Sequence, residues 1–252
     1  MKFCIDDIVK ATRGDLSMGD GSSICNGISI DSRAIEKGNL FVAIKGAHFD
    51  GHNFIDDALS KGAAAVLLQR ESSFSSDLPC VQVDDAERSL GDIAAWWRSQ
   101  FNVPCVAITG SNGKSTTKEM IAAIAGVNGD VLKTEGNFNN LIGLPLTIFR
   151  WNESHKVAIL EMGMNAPGEI ERLTEIAKPK VGLITNVTSA HLEKLHTLEA
   201  VARAKGELFS AMDADGIAVV NEEDPWVMKV VESYAGKRIT FGMKNESNVR
   251  FL

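Results

Sequence analysis

A glycine-rich segment stands between an apolar run at 106–109 and a helical pattern at 115–125, and it restricts the folds open to this chain. Glycines in such a turn leave backbone N–H groups pointing at the space above the helix N-terminus, where the helix dipole adds partial positive charge. The segment therefore predicts a loop that binds the phosphates of ATP. Ile108 stands where the usual eight-residue pattern has a glycine, so the loop is a shortened variant. Its candidate ATP-binding residues are Gly110, Ser111, Asn112, Gly113, Lys114, Ser115 and Thr116.

Two side chains of this loop suit particular tasks. Lys114 would bridge the β- and γ-phosphates, and the Ser115 hydroxyl would ligate Mg²⁺. A chance turn rich in glycine and serine is the alternative interpretation. The strand pattern before the segment and the helix pattern after it favour the phosphate loop.

From about residue 103 onward, short apolar runs alternate with helical patterns, which indicates a parallel sheet covered by helices on both faces. The predicted strands are 103–109, 156–162, 181–186, 217–221 and 238–241. The predicted helices are 115–125, 168–177, 197–212 and 225–234. The chain is thus predicted to be an α/β protein.

The first hundred residues have a less regular pattern. Buried strands are predicted at 40–44 and 64–68, with a helix at 54–61 between them. Apolar residues at helical spacing between Leu90 and Phe101 predict a long amphipathic helix that leads into the second domain. We therefore expect a domain boundary near residue 101.

Composition limits the classes of partner and the compartment. A net charge of −7 argues against a nucleic-acid-binding surface. No apolar run approaches the ~18 residues that a membrane span needs, and acidic residues follow the start directly, so neither a membrane anchor nor a signal peptide is expected. The four widely spaced cysteines suggest buried thiols in a reducing compartment, not a disulfide framework or zinc site. These features predict a cytoplasmic protein.

Several segments together resemble the Mur ligase family, and within it the members that add D-alanyl-D-alanine to a UDP-linked muramoyl tripeptide. The shortened phosphate loop is this superfamily's form, with Ser115 where most members have threonine. The segments 31–33, 38–43 and 50–54 resemble the family's UDP-binding first domain, a pattern that the tripeptide-forming members share. The segments 135–140, 142–145, 161–165 and 167–170 resemble the D-alanyl-D-alanine-adding members, and 185–187, 191–193 and 204–207 complete the match.

The resemblance implies an ATP- and Mg²⁺-dependent ligase whose partners are UDP-N-acetylmuramoyl-tripeptide and D-alanyl-D-alanine. It implies a small α/β UDP-muramoyl-binding domain at 1–101 and an ATP-binding central domain with a mainly parallel sheet at 102–252. Family members also carry a third, C-terminal domain, so we expect the chain to be a fragment that lacks turnover by itself. Tripeptide-forming and folylpolyglutamate-forming ligases of the superfamily, and a nucleotide-binding module without ligase activity, are the alternatives.

Three residues are candidate metal ligands beside Ser115. Glu161 ends an apolar strand, where a carboxylate faces the ligand crevice of a parallel sheet, although a solvated loop glutamate would look the same. His191 follows another strand and matches the family's histidine, although a lone histidine is more often structural. Lys205 lies within an apolar helical stripe, so it should be paired or deprotonated, unless it extends along the helix edge to water. The family's carbamylated lysine, a metal ligand, falls at Lys205. Lys114, Lys205, His191 and Glu161 form the expected catalytic set.

The remaining candidates rest on the resemblance alone. Asn221 and Asp224 resemble the stretch that meets adenine and ribose, although a helix cap at Asp224 before Pro225 would use the same residues. Arg33 would suit a diphosphate. The candidates for UDP-sugar binding are Ser29, Asp31, Ser32, Arg33, Lys45, His52 and Asn53. The candidates near the muramoyl group or the γ-phosphate are Asn137, Asn139 and Asn140.

Overall fold

The structure, a computed structural model, describes residues 1–46, 49–71, 77–188, 197–244 and 246–251. The chain divides into two compact units, Met1–Trp97 and Arg98–Leu252. The division falls inside a helix, Ala86–Ser99, which the sequence pattern placed about two residues later at its C-terminal end. Among the described residues, no helix is both long enough and apolar enough to cross a membrane.

The first unit is built on a five-stranded sheet with the order β2-β7-β6-β5-β4, in which only β2 runs antiparallel to its neighbour. Its strands are β1 Phe3–Cys4, β2 Asp15–Met18, β3 Ile24–Cys25, β4 Gly27–Ser29, β5 Asn39–Val42, β6 Ala65–Gln69 and β7 Cys80–Val83. Its helices are α1 Ile5–Thr12, α2 Ile55–Ser60 and α3 Ala86–Ser99. All four residues of β5 are buried, as expected for a parallel strand covered on both faces. The small α/β N-terminal unit is confirmed.

The second unit is built on a seven-stranded sheet in which every strand pair is parallel. Its strands are β8 Cys105–Thr109, β9 Asp130–Lys133, β10 His155–Glu161, β11 Val181–Ile184, β12 Ile217–Asn221, β13 Lys237–Gly242 and β14 Val249–Arg250. Its described helices are α4 Lys114–Ala125, α5 Gly143–Ile148, α6 Glu169–Ala177, α7 Leu198–Ala211 and α8 Pro225–Val231. The predicted parallel sheet is confirmed.

The strand order of this sheet, β14-β13-β12-β11-β8-β10-β9, places β8 between β10 and β11. The chain moves to one side of β8 for β9 and β10 and to the other side for β11 and the strands after it. In open α/β sheets, ligands bind beyond the carboxyl ends of the strands at such a reversal. The phosphate loop directly follows β8 and therefore lies at this point of the sheet.

Some element bounds differ from the sequence-based expectations for a physical reason. The strand predicted at 181–186 ends at Ile184, because Thr185 and Asn186 turn to bind the phosphate loop. The edge strand β9 was not predicted, because it is short and only partly buried, with no continuous apolar run. Burial raises the pKa of the Cys25 and Cys105 thiols to about 12, so these thiols remain protonated near neutral pH.

Candidate functional site

The phosphate loop needs glycine at two positions. Gly110 has φ +144° and Gly113 has φ +81°, a range that side chains disfavour. A Cβ on Gly110 would lie 1.9 Å from the Thr185 hydroxyl oxygen, whereas a Cβ on Gly113 would meet nothing within 4 Å. Gly113 is the N-cap of α4, and it lets the chain enter the helix with the first N–H groups unobstructed. The first glycine is thus required for packing and the second for backbone conformation.

The segment after β11 holds the loop in place. The Ser111 N–H donates to the Asn186 carbonyl (2.9 Å), and the Asn112 N–H donates to the Asn186 side-chain oxygen (3.1 Å). The Thr185 hydroxyl donates to the Asn112 carbonyl (2.6 Å), and the Thr188 N–H donates to Ser111 Oγ (2.9 Å). Sequence reasoning used 185–187 only as part of a resemblance. The signal it missed is a run of short polar residues that follows a strand adjacent to β8.

The carboxylate of Glu161 is 3% exposed and lies against the start of α4. It accepts hydrogen bonds from the Ser115 hydroxyl (2.7 Å) and from the Asn139 amide (2.9 Å). The structure therefore brings together three of the predicted site residues, from α4, β10 and the loop after β9. Lys114 folds over the loop, and its ammonium donates to the Gly110 carbonyl (2.9 Å).

Lys205 is 2% exposed in the middle of α7. Burial, with a smaller contribution from the charge of Lys114, lowers the pKa of its amine to about 8. Within the described part of the chain, its Nζ atom has no hydrogen-bond or ion-pair partner. The expectation that this lysine lies within the apolar stripe is confirmed, and Lys205 does not extend along the helix edge to water.

Glu207, which follows Lys205 on α7, has a structural role. It accepts hydrogen bonds from the N–H groups of Gly168 (2.8 Å) and Glu171 (3.2 Å), which open α6. Burial raises the pKa of its carboxyl. It thereby fixes α7, which carries Lys205, to the N-terminus of α6.

The residues at this edge of the sheet fit a magnesium ion. Across the described ranges, no three His, Cys, Asp or Glu side chains are close enough to hold a metal by themselves. Mg²⁺ is usually held by one or two carboxylates together with substrate phosphates, and Glu161 beside the Ser115 hydroxyl provides such oxygen donors. A second observation at this edge is the buried hydroxyl of Thr109, which has no hydrogen-bond partner in the described structure. His191 lies outside the described residues.

Asn221 and Asp224 tie the ends of two strands together. The Asn221 amide donates to the Thr185 carbonyl (3.0 Å) and accepts the Glu223 N–H (3.0 Å). Asp224 caps α8 through the N–H groups of Trp226 (2.9 Å) and Val227 (3.1 Å), and it also accepts the Val187 N–H (2.6 Å). The helix cap considered from the sequence is therefore present. Contact of Asn221 with a nucleotide stays a prediction.

The other candidate asparagines lie in the loop after β9. Asn140 lies just before α5, and its side-chain oxygen accepts the N–H groups of Ile142 (3.2 Å) and Gly143 (2.7 Å). Asn137 is exposed, and its carbonyl accepts the Asn139 N–H (2.8 Å). Thr116 is exposed on the first turn of α4.

A cavity of about 480 Å³ opens in the first unit. Asp31, Ser32 and Arg33 provide polar groups at its wall, and Phe49 and Phe54 provide apolar ones. The Arg33 side chain is 85% exposed and pairs with Asp31 at 2.7 Å. Hydrogen bonds from Arg33 lower the pKa of the Asp31 carboxyl to about 2, so this carboxylate is ionised at neutral pH.

The remaining candidates of the first unit do not line this cavity. The Ser29 hydroxyl is bonded to the backbone of Asp31 (2.9 Å). The His52 ring lies between the Asp50 carboxylate (2.6 Å) and the Gln69 N–H (3.2 Å), which makes it a support for the turn that carries Phe54. Lys45 lines a separate depression, and Asn53 is exposed.

The second unit carries the features of a known protein family. The Mur ligase middle domain matches residues 108–251. The chain belongs to the Mur ligase family. A second family model, described as the catalytic domain of the Mur ligase family, matches residues 25–96. The resemblance stated from the sequence is thereby confirmed.

Individual Mur ligases extend this result. The chain is 41% identical over 221 residues to the UDP-N-acetylmuramoyl-tripeptide–D-alanyl-D-alanine ligase of Synechocystis sp.. The aligned region covers 87% of this chain and 49% of the relative. A crystal structure of MurF from Acinetobacter baumannii matches with a TM-score of 0.90 at 30% identity, over 96% of this chain and 54% of that one. MurF ligase from Thermotoga maritima in complex with ADP matches with a TM-score of 0.81 at 36% identity, over 87% of this chain and 51% of that one. This chain thus spans about half the length of these Mur ligases.

Proposed function

We propose that this chain provides the nucleotide-binding and UDP-sugar-binding units of a ligase that joins D-alanyl-D-alanine to UDP-N-acetylmuramoyl-tripeptide with ATP. The reaction would be a step of peptidoglycan precursor synthesis. The relative from Synechocystis sp. carries this activity in its name, and the similar structure from Thermotoga maritima holds ADP. These similarities support the proposal for both the reaction and the nucleotide.

The observation that carries the proposal is the buried Glu161 carboxylate, which lies 2.7 Å from the Ser115 hydroxyl at the start of the phosphate-loop helix. Hydroxyl and carboxylate oxygens at this place are suited to a nucleotide that carries Mg²⁺. On nucleotide binding, the Lys114 ammonium would release the Gly110 carbonyl and donate instead to the β- and γ-phosphates. The N–H groups of the loop and of the first turn of α4 would donate to the same phosphates.

The proposed chemistry has two steps. The terminal carboxylate of the tripeptide attacks the γ-phosphorus of ATP, forming an acyl phosphate and releasing ADP. The amine of D-alanyl-D-alanine then attacks the acyl carbon, its proton leaves to solvent, and phosphate departs as the amide forms. Such a reaction depends mainly on positioning and on electrostatic stabilisation.

Ser115, Glu161, a carbamate on Lys205, and His191 would hold the metal. Bound Mg²⁺ would neutralise negative charge on the phosphates. The lone pair of neutral Lys205 Nζ would attack CO₂, and loss of a proton to solvent would leave an anionic carbamate. The lowered pKa of this amine favours the neutral form that the addition requires.

In the first unit, we propose that the cavity takes the UDP portion of the substrate. Its wall combines the Arg33 guanidinium, which suits a diphosphate, with the apolar rings of Phe49 and Phe54. Asp31 holds Arg33 in orientation through three side-chain hydrogen bonds.

Calorimetric titration of an ATP analogue with Mg²⁺ tests the nucleotide site. We expect Lys114→Ala to abolish measurable binding, because the phosphates lose their mobile cation. Lys133→Ala is the matched control, since Lys133 is a partly exposed lysine that pairs with Glu119 away from the loop. Unchanged affinity in Lys114→Ala would place the site elsewhere.

The carbamate is tested by ¹³C NMR of the chain under ¹³C-labelled bicarbonate. A carbamate signal is expected from the unmodified chain and should be absent from Lys205→Arg, because a guanidinium stays charged and cannot carbamylate. In the intact ligase, Lys205→Ala should lose several orders of magnitude in turnover, with partial rescue by short carboxylates or bicarbonate. Near-normal turnover of Lys205→Arg would contradict the carbamate assignment.

A further inference from the structure

A second buried lysine, Lys118, lies four residues after Lys114 on the phosphate-loop helix. It is 3% exposed. Like Lys205, it stands within an apolar helical stripe, formed here by Ile121, Ala122 and Ala125. A buried ammonium is costly unless it is bound by polar partners, so its partners indicate what it does.

The ammonium of Lys118 has two partners. It donates to the Thr134 carbonyl at 2.6 Å and pairs with Glu119 at 3.2 Å. Glu119 is about half exposed and also pairs with Lys133, whereas Thr134 is fully buried at the end of the edge strand β9. The short hydrogen bond from Lys118 to the buried Thr134 carbonyl joins α4 to the end of β9 and holds these two elements together.

Thr134 connects this bond to Glu161. Its hydroxyl oxygen accepts the Glu161 N–H at 3.0 Å, and its own N–H donates to the Ile159 carbonyl at 3.2 Å. Thr134 also begins the loop that carries Asn139, whose amide donates to the Glu161 carboxylate. The backbone and the side chain of Glu161 therefore both depend on where Thr134 is held.

We infer that Lys118 is a positioning residue that sets the Glu161 carboxylate relative to the Ser115 hydroxyl, by fixing Thr134 against the phosphate-loop helix. The inference rests on the proposed function, in which Glu161 and Ser115 receive the metal. Lys118 does not touch the nucleotide or the metal in this role. It acts through Thr134, as groups behind metal ligands commonly do.

The chain offers a matched comparison between two lysines that share Glu119. Lys118→Met removes the bond to Thr134 and keeps an apolar stem of similar volume. Lys133→Met removes an ion pair with the same carboxylate, and its side chain takes no part in the bonds of Thr134 to Lys118 and Glu161. Thr134→Val removes the hydroxyl that Glu161 uses and leaves the carbonyl that Lys118 uses.

The first measurement is the affinity of the chain's ADP complex for Mn²⁺, followed by electron paramagnetic resonance. We expect Lys118→Met and Thr134→Val to weaken Mn²⁺ binding by about tenfold or more, while ADP affinity in EDTA changes less than about twofold. Lys133→Met should match the unmodified chain. Equal Mn²⁺ affinities of Lys118→Met and Lys133→Met would overturn the inference.

The second measurement needs no metal. Amide hydrogen exchange at Glu161 should accelerate in Lys118→Met and remain unchanged in Lys133→Met, since only the first releases Thr134. If the unmodified ADP complex takes up no Mn²⁺, the proposed function fails, and this exchange measurement still decides the positioning role. If Lys118→Met does not fold, Lys118→Gln is used, and unchanged exchange at Glu161 in that variant would overturn the inference.

Discussion

At the scale of single residues, the second unit contains two lysines that a hydrophobicity pattern would exclude from helix interiors. Lys205 has no partner among the described residues, and Lys118 is bound by a carbonyl and a carboxylate. A buried amine without a partner shifts toward its neutral form, whereas Lys118 Nζ is held by two polar partners. The same sequence signal thus leads to two different environments, which only the tertiary structure distinguishes.

The Lys205 amine predicts a pH-dependent stability. Its pKa falls from 10.5 to about 8 in the folded chain, so between these values the unfolded chain binds more protons and the free energy of unfolding rises with pH. Below pH 8 the folded chain carries the full penalty. Lys205→Met should therefore be more stable by about 3 kcal/mol at pH 7, and its advantage should fall to less than half at pH 9.5.

Urea unfolding of both variants in bicarbonate-free buffer measures this difference. Lys229→Met serves as the control, because the Lys229 side chain is 59% exposed. A stability difference between Lys205→Met and the unmodified chain that does not vary between pH 7 and pH 9.5 would refute the prediction.

The two glycines of the phosphate loop predict unequal costs. Gly110→Ala places a methyl group 1.9 Å from the Thr185 hydroxyl oxygen, so Thr185 must move and lose its bond to Asn112. We expect a loss of at least about 2 kcal/mol. Gly113→Ala meets no atom within 4 Å and should cost only the backbone strain of about 1 kcal/mol. Thermal unfolding compares them, and equal costs would show that Thr185 does not restrain the loop.

At the scale of elements, the site is assembled from the carboxyl ends of parallel strands. β8 leads into the phosphate loop, β10 ends at Glu161, and the segments after β9 and β11 hold these two in place. β8 and β11 are short apolar strands, and β10 ends in an apolar run before Glu161. Their apolar residues pack in the core, whereas polar residues at or just after the strand ends form the site. The geometry of the site is therefore set by strand register and by polar side chains at strand ends.

The cap of α8 tests this arrangement. Asp224 accepts two N–H groups of its own helix and the Val187 N–H at 2.6 Å. Thr197 caps α7 through one N–H, that of Ala200. Asp224→Ala should lower the free energy of unfolding by about 2–3 kcal/mol, against about 1 kcal/mol for Thr197→Ala. Urea unfolding at neutral pH gives both values, and equal losses would mean that the bond to Val187 contributes nothing.

At the scale of the whole molecule, each unit has its own candidate ligand region. The cavity of the first unit offers a guanidinium and aromatic rings, and the second unit offers backbone donors, a lysine and a buried carboxylate. Because the two units offer different binding groups, a substitution in one unit should weaken the binding of its own ligand and leave the binding of the other ligand unchanged.

We therefore expect Arg33→Ala to weaken UDP binding to the 252-residue chain by about tenfold, because a charged hydrogen bond contributes roughly 1.5–3 kcal/mol. ADP affinity should not change in this variant. Lys114→Ala should show the reverse pattern. NMR titration with each nucleotide measures both affinities, and loss of both ligands in either variant would contradict separate sites.

The sequence alone was sufficient for the parallel sheet, the glycine-rich turn between β8 and α4, and the family, because these depend on local patterns. A few consecutive residues are enough to identify an apolar strand, a glycine-rich turn before a helix, or a lysine within an apolar stripe. The burial of Lys205 and the place of Glu161 at a strand end followed from the same periodicity.

Only the tertiary structure decided which distant groups meet. The bond from Ser115 to Glu161, the path from Lys118 through Thr134, and the support of the loop by Asn186 each join residues from different strands. The structure also places His52, a candidate for UDP-sugar binding, between Asp50 and Gln69, and it does not line the cavity that Asp31, Ser32 and Arg33 line. Such contacts depend on strand order and register, which the hydrophobic pattern of each strand leaves open, because every buried parallel strand satisfies the same pattern at any position in the sheet.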